Sequence, residues 1–351
     1  MAEARRIQSH ALQRFCETVL TAVNVPGPAA GLVADCLVSA NLQGVDTHGV
    51  ARLPTYVRRI KEGAVNPCGE PRVVSRRGAV AILDGANALG PIAATAAMDF
   101  AVGSARDLGI GYTGVRNSNH FSYAAYYCER AARSGMVGVC SSGGEPTVAP
   151  WGGVDAFYTN SPIALAAPTS GEPLVVDLAT SVSSRGNILL AKLLGKPIPE
   201  GWAVDAQGRP TTDAAAALLG SVLPMGGAKG YALIVALEVL NGVLTGGPYA
   251  PNVGSQAAKD GKPAGVPHFF MALNPDVLIG QDVFLQRMDA LVKATRSARP
   301  SDPEQPILVP GDRRRSVAAE RVRAGIPLGD ELRSELLAMA RTHAPTAKEF
   351  L

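Results

Sequence analysis

Gly109-Ile110-Gly111-Tyr112-Thr113-Gly114 spells G-x-G-x-x-G, the glycine pattern of a dinucleotide-binding loop, and its setting decides the fold. In a Rossmann unit the pattern follows a strand and opens a helix, where free amides meet a pyrophosphate. Here it follows the alanine-rich helical stretch 91–107 and leads into Gly111–Val115, which reads as a strand. No G-x-x-x-x-G-K-[ST] segment occurs elsewhere, so a bound nucleotide has to be held by a different device.

Outward from that point strands alternate with helices. Val73-Val74 and Val80–Asp84 precede it; a helix at 122–134, strands Met136–Cys140, Ile163–Ala167 and Leu174–Asp177, and a helix at 184–194 follow. The alternation predicts an α/β middle section. Ahead of it, residues 8–24 and 28–43 carry apolar side chains at helical spacing, among them Phe15, Val19, Cys36 and Leu37. Behind it come a Gly/Pro-rich linker at 195–212, helices at 213–219 and 228–244, and a Gly-, Pro- and Asn-rich stretch at 246–268 that reads as a long loop or lid. A strand at His268–Leu273 and helices at 280–296 and 329–342 end the chain.

At 351 residues, two domains are the default expectation. Hydrophobic residues make up 47% and charged ones 18%, which excludes disorder and supplies sizeable cores. The net charge is +3 with scattered basic residues apart from Arg313-Arg314-Arg315, so no nucleic-acid surface is expected. Five cysteines, none in a C-x-x-C pair, read as reduced thiols, and the N-terminus has no signal-peptide core. The greasy stretch Tyr231–Leu244 carries Glu238 and is shorter than the about 20 residues that span a bilayer. A cytoplasmic location without membrane contact is the expectation.

Several segments carry candidate chemistry. Asp46-Thr47-His48-Gly49-Val50-Ala51-Arg52-Leu53-Pro54-Thr55-Tyr56 places a proton-exchanging imidazole four residues before a guanidinium fork that suits a carboxylate. Pro54 places the helix start near Leu53 or kinks the helix there, and Gly44 and Gly49 favour His48 in a turn just before it. Asn117-Ser118-Asn119-His120-Phe121 puts a second histidine at a strand-to-helix junction. Asp177-Leu178-Ala179-Thr180-Ser181-Val182-Ser183-Ser184-Arg185 offers amides, hydroxyls and one arginine to an anion, or simply caps a helix. Gly226-Gly227-Ala228-Lys229 combines close backbone approach with a charge, and the acid of Pro310-Gly311-Asp312-Arg313 suits a ribose hydroxyl. A zinc site from His48, His120 and His268 lacks ligand spacing.

Together these segments resemble the type 2 malate/L-lactate dehydrogenase family, with its sulfolactate, ureidoglycolate and cyclic-imine-reducing members. The resemblance runs from about residue 8 to 342 and rests on D-T-H-G-V-A-R-L-P-x-Y, N-S-N-H-F, A-P-W-G-G (149–153), T-N-S-P-I-A (159–164), D-L-A-T-S, P-M-G-G-A-K-G and V-P-G-D, in this order. It implies a non-Rossmann mixed-sheet nicotinamide-binding domain (76–249) inserted into an α/β domain built from both chain ends (1–75 plus 250–351), and a homodimer. It implies NAD or NADP as cofactor and a small carboxylate substrate, a 2-oxo acid, 2-hydroxy acid or cyclic imino acid. His48 would protonate the reacting centre, Arg52 hold the carboxylate, Tyr56 line the pocket, and His120 sit beside the nicotinamide or share the proton transfer. Cofactor contacts would come from His120, Gly144, Asp177, Leu178, Ala179, Thr180, Ser181, Arg185, Lys229, Gly311, Asp312 and Arg313.

Two departures weaken the transfer. Ser142-Gly143-Gly144 stands where relatives have a Thr-Asn pair, and Pro310-Gly311-Asp312 replaces Pro-Gly-Glu. Arg185 or Arg313–Arg315 would meet a 2′-phosphate, or simply form a solvated helix start. Two other classes stay open: a metal-dependent or histidine-assisted hydrolase using His48, His120 and Asp46, and a catalytically silent cofactor-binding protein.

Overall fold

The computed structural model describes residues 5–351. β1 (Arg5–Ile7) leads into α1 (Ser9–Ala22), whose Leu12, Phe15, Cys16, Val19 and Leu20 form one buried stripe. α2 (Gly27–Leu42) carries apolar residues on two faces because it separates two cores: Val33 and Leu37 face one, Cys36 and Ala40 the other. Two 3-10 turns, Asp46–His48 and Val50–Arg52, precede α3 (Leu53–Lys61). Pro54 occupies the first turn of α3, where its missing N–H is not needed. His48 therefore sits in a turn ahead of the helix.

The middle section runs β2 (Arg72–Arg77), β3 (Val80–Asp84), α4 (Gly90–Leu108), β4 (Ile110–Ser118), α5 (Ala125–Arg133), β5 (Val137–Ser142), β6 (Ile163–Ala167) and β7 (Leu174–Leu178). After α6 (Arg185–Leu193) come β8 (Ala203–Val204), β9 (Pro210–Thr211), α7 (Ala214–Leu219) and β10 (Ser221–Val222). These three short strands form a small antiparallel sheet inside and just after the stretch expected to be a bare linker. α8 (Ala228–Glu238) continues into a π-helical turn, Val239–Val243. The end of the chain supplies β11 (Val266–Leu273), α9 (Asp276–Ile279), α10 (Gln281–Arg296), α11 (Asp312–Ala324), β12 (Ile326–Leu328) and α12 (Asp330–His343). No helix among the described residues is long and apolar enough to cross a membrane.

The main sheet has seven strands in the order β2-β3-β4-β11-β5-β6-β7. β3 and β4, joined by α4, pair in parallel, and every other neighbour pairs antiparallel. This is a mixed α/β sheet. Its middle strand is β11, which the division at residue 249 assigned to the terminal part. At the other extreme, β1 pairs with β12, and residues 7–65 share one core with 326–351.

The glycine pattern at 109–114 serves packing. Gly109 ends α4 in the left-handed region at φ 84°. A Cβ on Gly111 would lie 2.0 Å from the Ala101 carbonyl oxygen of α4, and one on Gly114 2.9 Å from Ile82 and Thr245. β4 lies this close to α4 only because the side chain is missing. Gly111→Ala should therefore destabilise the fold by about 1–3 kcal/mol, the usual cost of overpacking, whether or not nucleotide is present. Urea unfolding checks this; an unchanged midpoint would contradict the packing role.

Candidate active site

One cleft of about 360 Å³ brings together His48, Arg52, His120 and Ser122 on one side and Gly144, Asp177, Ser181 and Arg185 on the other. The His48 turn is built around Asn41, a 1% exposed residue near the end of α2. Its side-chain oxygen accepts from the Val50 amide at 2.8 Å and its nitrogen donates to Asp46 Oδ1 at 2.7 Å. A Cβ on Gly49 would lie 2.1 Å from that oxygen, so glycine is required between the two contacts. Arg321 of α11 reaches Asp46 with both terminal nitrogens, at 2.6 and 3.0 Å, and also donates to the Asn41 carbonyl. Arg52 Nε donates to the Thr47 carbonyl at 2.7 Å, which fixes the stem of the guanidinium. No carboxylate among the described residues lies within ion-pair distance of Arg52.

The second histidine follows β4. Its ring stacks on that of His48 with centroids 5.6 Å apart. Tyr56, on the α3 helix that Arg52 precedes, lies 2.9 Å from His120 Nδ1 and donates to the His120 carbonyl at 3.2 Å. The Ser122 amide also donates to His120 Nδ1, at 3.3 Å, while Ser122 Oγ donates to the His48 carbonyl at 2.8 Å. Ser122 thus ties both histidines together, and it adopts φ 69°, a left-handed conformation that serine rarely takes. An amide can only donate, so Nδ1 of His120 is the acceptor. The proton of the neutral ring then sits on Nε2.

The residues expected at the cofactor divide. Gly144, Asp177, Leu178, Ala179, Ser181 and Arg185 line the cleft with His120. Asp177 is engaged: Oδ2 accepts from the Ala125 amide at 3.1 Å and from Arg314 at 3.0 Å. Thr180 lies behind the wall, its hydroxyl donating to the Asn160 carbonyl at 2.7 Å. Arg185 is exposed and donates to the Leu218 carbonyl. Lys229 is exposed on the first turn of α8, whose leading segment is tied to the 180–182 turn through Met225 N to Thr180 O and Val182 N to Leu223 O, both 2.9 Å. Gly311 lines a neighbouring cleft of about 390 Å³, and Arg313 beside it is exposed. Asp312 spends its oxygens on Arg296, Arg315 and the Val309 amide.

Three residues escaped the sequence reading: Ser122, Arg314 and, for its part in the His48 turn, Arg321. Ser122 had no periodicity to mark it. Arg314, seen only as one of a basic triplet, lines both clefts and holds Asp177. Of the three histidines weighed for a zinc site and set aside on spacing, His268 is fully buried, with Nδ1 2.8 Å from Ser142 Oγ and Nε2 3.1 Å from Ser118 Oγ. Asp46, the acid of the hydrolase alternative, is taken by Arg321 and Asn41. The stretch expected as a loop at 246–268 is one up to residue 265, where β11 follows, and it is tethered: Arg58 and Arg59 of α3 donate to the carbonyls of Ser255, Gln256, Ala258 and Lys262.

Electrostatically the cleft favours anions. His48 is half-buried at its base, and dehydration there, followed by repulsion from Arg52 and Arg314, lowers its imidazole to about 4. His120 is pushed well below its ordinary value by burial, then by Arg52, His48 and His268. Burial raises the Asp177 carboxyl despite the opposing pull of Arg314. Both site histidines are therefore neutral at pH 7, able to donate a hydrogen bond while guanidiniums supply the positive charge.

Such a site, at one end of a mixed sheet and built for a small anion, can polarise and protonate a carbonyl or imine carbon's heteroatom. The Malate/L-lactate dehydrogenase family profile matches residues 7–337, and the chain belongs to that family and is an oxidoreductase of its kind. It is 36% identical to a malate dehydrogenase of Pyrococcus abyssi over 344 residues, covering 96% of this chain and 94% of that one. It is 35% identical to a (2R)-3-sulfolactate dehydrogenase (NADP(+)) of Chromohalobacter salexigens over 319 residues, 91% of this chain and 93% of that one. The solved structure of the sulfolactate dehydrogenase from Methanocaldococcus jannaschii superposes with a TM-score of 0.91 at 32% identity, covering 96% of this chain and 97% of that one.

Ring NMR of the free protein should show the His48 and His120 imidazoles still neutral at pH 6. The sign for stability follows: with folded values below the ordinary 6.5, the unfolded chain takes up protons that the folded one refuses, so each group erodes stability as pH falls from about 6.5 toward its folded value. A ring titrating near 6.5 would contradict the described environment.

Proposed function

We propose that the protein interconverts a small 2-oxo acid and its 2-hydroxy acid, or a cyclic imino acid and its reduced form, with NAD(P)H. The observation that carries this reading is the single cleft in which a carboxylate-free Arg52 and two stacked neutral histidines face a wall of backbone and hydroxyls. Arg52 binds the substrate carboxylate in bidentate fashion, a geometry that a lysine would not reproduce. His48 donates the proton to the reacting oxygen or nitrogen, and Tyr56 and Ser122 hold His120 beside it. A second assignment, His120 as the donor, is favoured by one contact: the Ser122 amide on Nδ1 leaves the His120 proton on Nε2.

The wall at 177–186 fits a dinucleotide. It presents the backbone of Leu178 and Ala179, the Ser181 hydroxyl, and the N-terminus of α6 capped by Ser184, with Arg185 at its edge. Gly144, Thr180, Lys229, Gly311 and Asp312 complete the proposed contact set, and Arg185 and Arg313 are the candidates for a 2′-phosphate. The nicotinamide, when bound, supplies or accepts the hydride at C2. Everything else falls to the chain: Arg52 fixes which face of the substrate is presented, and the histidines neutralise charge developing on the heteroatom. A cofactor-binding unit inserted between the paired chain ends, and a homodimer formed through the exposed Leu189, Leu190, Leu193 and Leu194 around α6, are part of the same proposal.

Absorbance at 340 nm with NADH or NADPH and a panel of 2-oxo acids and piperideine-2-carboxylate tests the reading. Turnover should survive a chelator, which a metal-dependent hydrolase would not show. Cofactor binding without turnover of any substrate would instead mark a silent binder. His48→Ala should lower kcat about 10²- to 10⁴-fold with little change in cofactor affinity; near-normal kcat with a large loss in His120→Ala would transfer the donor role to His120. Arg52→Ala should raise KM for the acid by about one to two orders of magnitude, the worth of a charge-assisted hydrogen bond; an unchanged KM would remove Arg52 from the carboxylate.

A further inference from the structure

α11 carries two arginines that reach opposite sides of the cleft. Arg314 bonds Asp177 at 3.0 Å and the Asp177 carbonyl at 3.3 Å, at the end of β7. Arg321 bonds both oxygens of Asp46 and the carbonyl of Asn41, in the knot around which the His48 turn is wrapped. Seven residues make about two helical turns, so both side chains leave α11 from one face, about 10 Å apart along its axis. Between them Val317 lies against Gly44, where a Cβ would come within 3.0 Å. The contact is thus made three times along one face.

We propose that α11 is a strut that sets the position of His48 relative to the opposite, 177–186 wall, with Arg321 as a positioning residue acting through Asp46 and Asn41. The inference rests on the functional reading above for its catalytic consequence. Its chemistry is bidentate: a guanidinium spans both Asp46 oxygens and the Asn41 carbonyl at once, which an ammonium cannot do. Arg321 is only 13% exposed while Asp46 is 47% exposed, so the arginine is the ordered member of the pair. Without it the Asp46 carboxylate retains only the Asn41 amide, and Asn41 is left to hold the turn through that bond and the Val50 amide alone. The turn can then shift by a fraction of an ångström, enough to move a proton donor out of line, while Arg52, the residue before α3, is held by the helix that follows it.

The test uses Arg321→Ala, Arg321→Lys and Asp46→Asn in the full-length protein, with Arg323→Ala, exposed on the same helix, as control. We expect kcat to fall about 10- to 100-fold in Arg321→Ala while KM for the acid and Kd for NAD(P)H stay within about three-fold, and added guanidinium, but not ammonium, to restore part of kcat. Arg321→Lys should recover less than added guanidinium does. Amide exchange read by mass spectrometry should speed up across 46–50 and not across β11. That last readout needs no substrate, so it decides the strut even if wild-type protein turns over no acid on the panel, a result that would count against the functional reading alone. The proposal is overturned if Arg321→Ala matches the control in kcat and in exchange at 46–50. It is equally overturned if kcat, KM and exchange across the whole sheet all worsen together without guanidinium rescue.

Discussion

β11 enters the sheet between β4 and β5, and His268 near its start bonds Ser118 on one neighbour and Ser142 on the other. Both serines end their strands. Asn119-His120 follows the first and Gly143-Gly144 follows the second, so one buried imidazole fixes the points from which two sides of the cleft depart. Phe121 stacks on the His268 ring at 4.8 Å, nearly parallel, and carries the constraint into the His120 segment. Dehydration lowers this ring to about 3, so it serves as a neutral, permanent crosslink of hydrogen bonds. Removing it would leave the Ser118 hydroxyl without its partner in a dry core and Ser142 with only the Gly143 carbonyl.

From that fixed frame the site acquires its chemistry by bringing in parts from distant sequence. The His48 turn comes from the helical layer, Arg314 and Arg321 from α11, and the anion-facing wall from the end of β7. Neutral histidines beside Arg52 and Arg314 produce an environment where positive charge is carried by groups that do not titrate near neutrality. The proton-exchanging groups are left uncharged and able to donate. That separation of roles suits a reaction in which negative charge appears on a substrate atom already next to a carboxylate.

Much of this was legible in the residues. Pro54 correctly marked the start of α3 and so put His48 in a turn, and the setting of the 109–114 glycines correctly excluded a Rossmann loop. What the glycines do instead, letting β4 lie on α4, depends on a contact with Ala101 that no local pattern records. The order of the main sheet was not legible either, because β11 pairs with strands more than a hundred residues earlier. Ser122 and Arg321 were missed for the same reason: each matters through a partner on another element, and Arg321 meets Asp46 across 275 residues. Short strands such as β8 to β10 carry too few residues to show a period of two.

In the proposed reaction Arg52 and the His48–His120 pair receive one small 2-oxo acid together. A crystal structure with reduced cofactor and oxamate, an unreactive analogue of such an acid, tests it most directly. The oxamate carboxylate should pair with the Arg52 guanidinium, and its carbonyl oxygen should lie within hydrogen-bond distance of a His48 or His120 ring nitrogen. A carboxylate bound elsewhere, with Arg52 facing solvent, would contradict it.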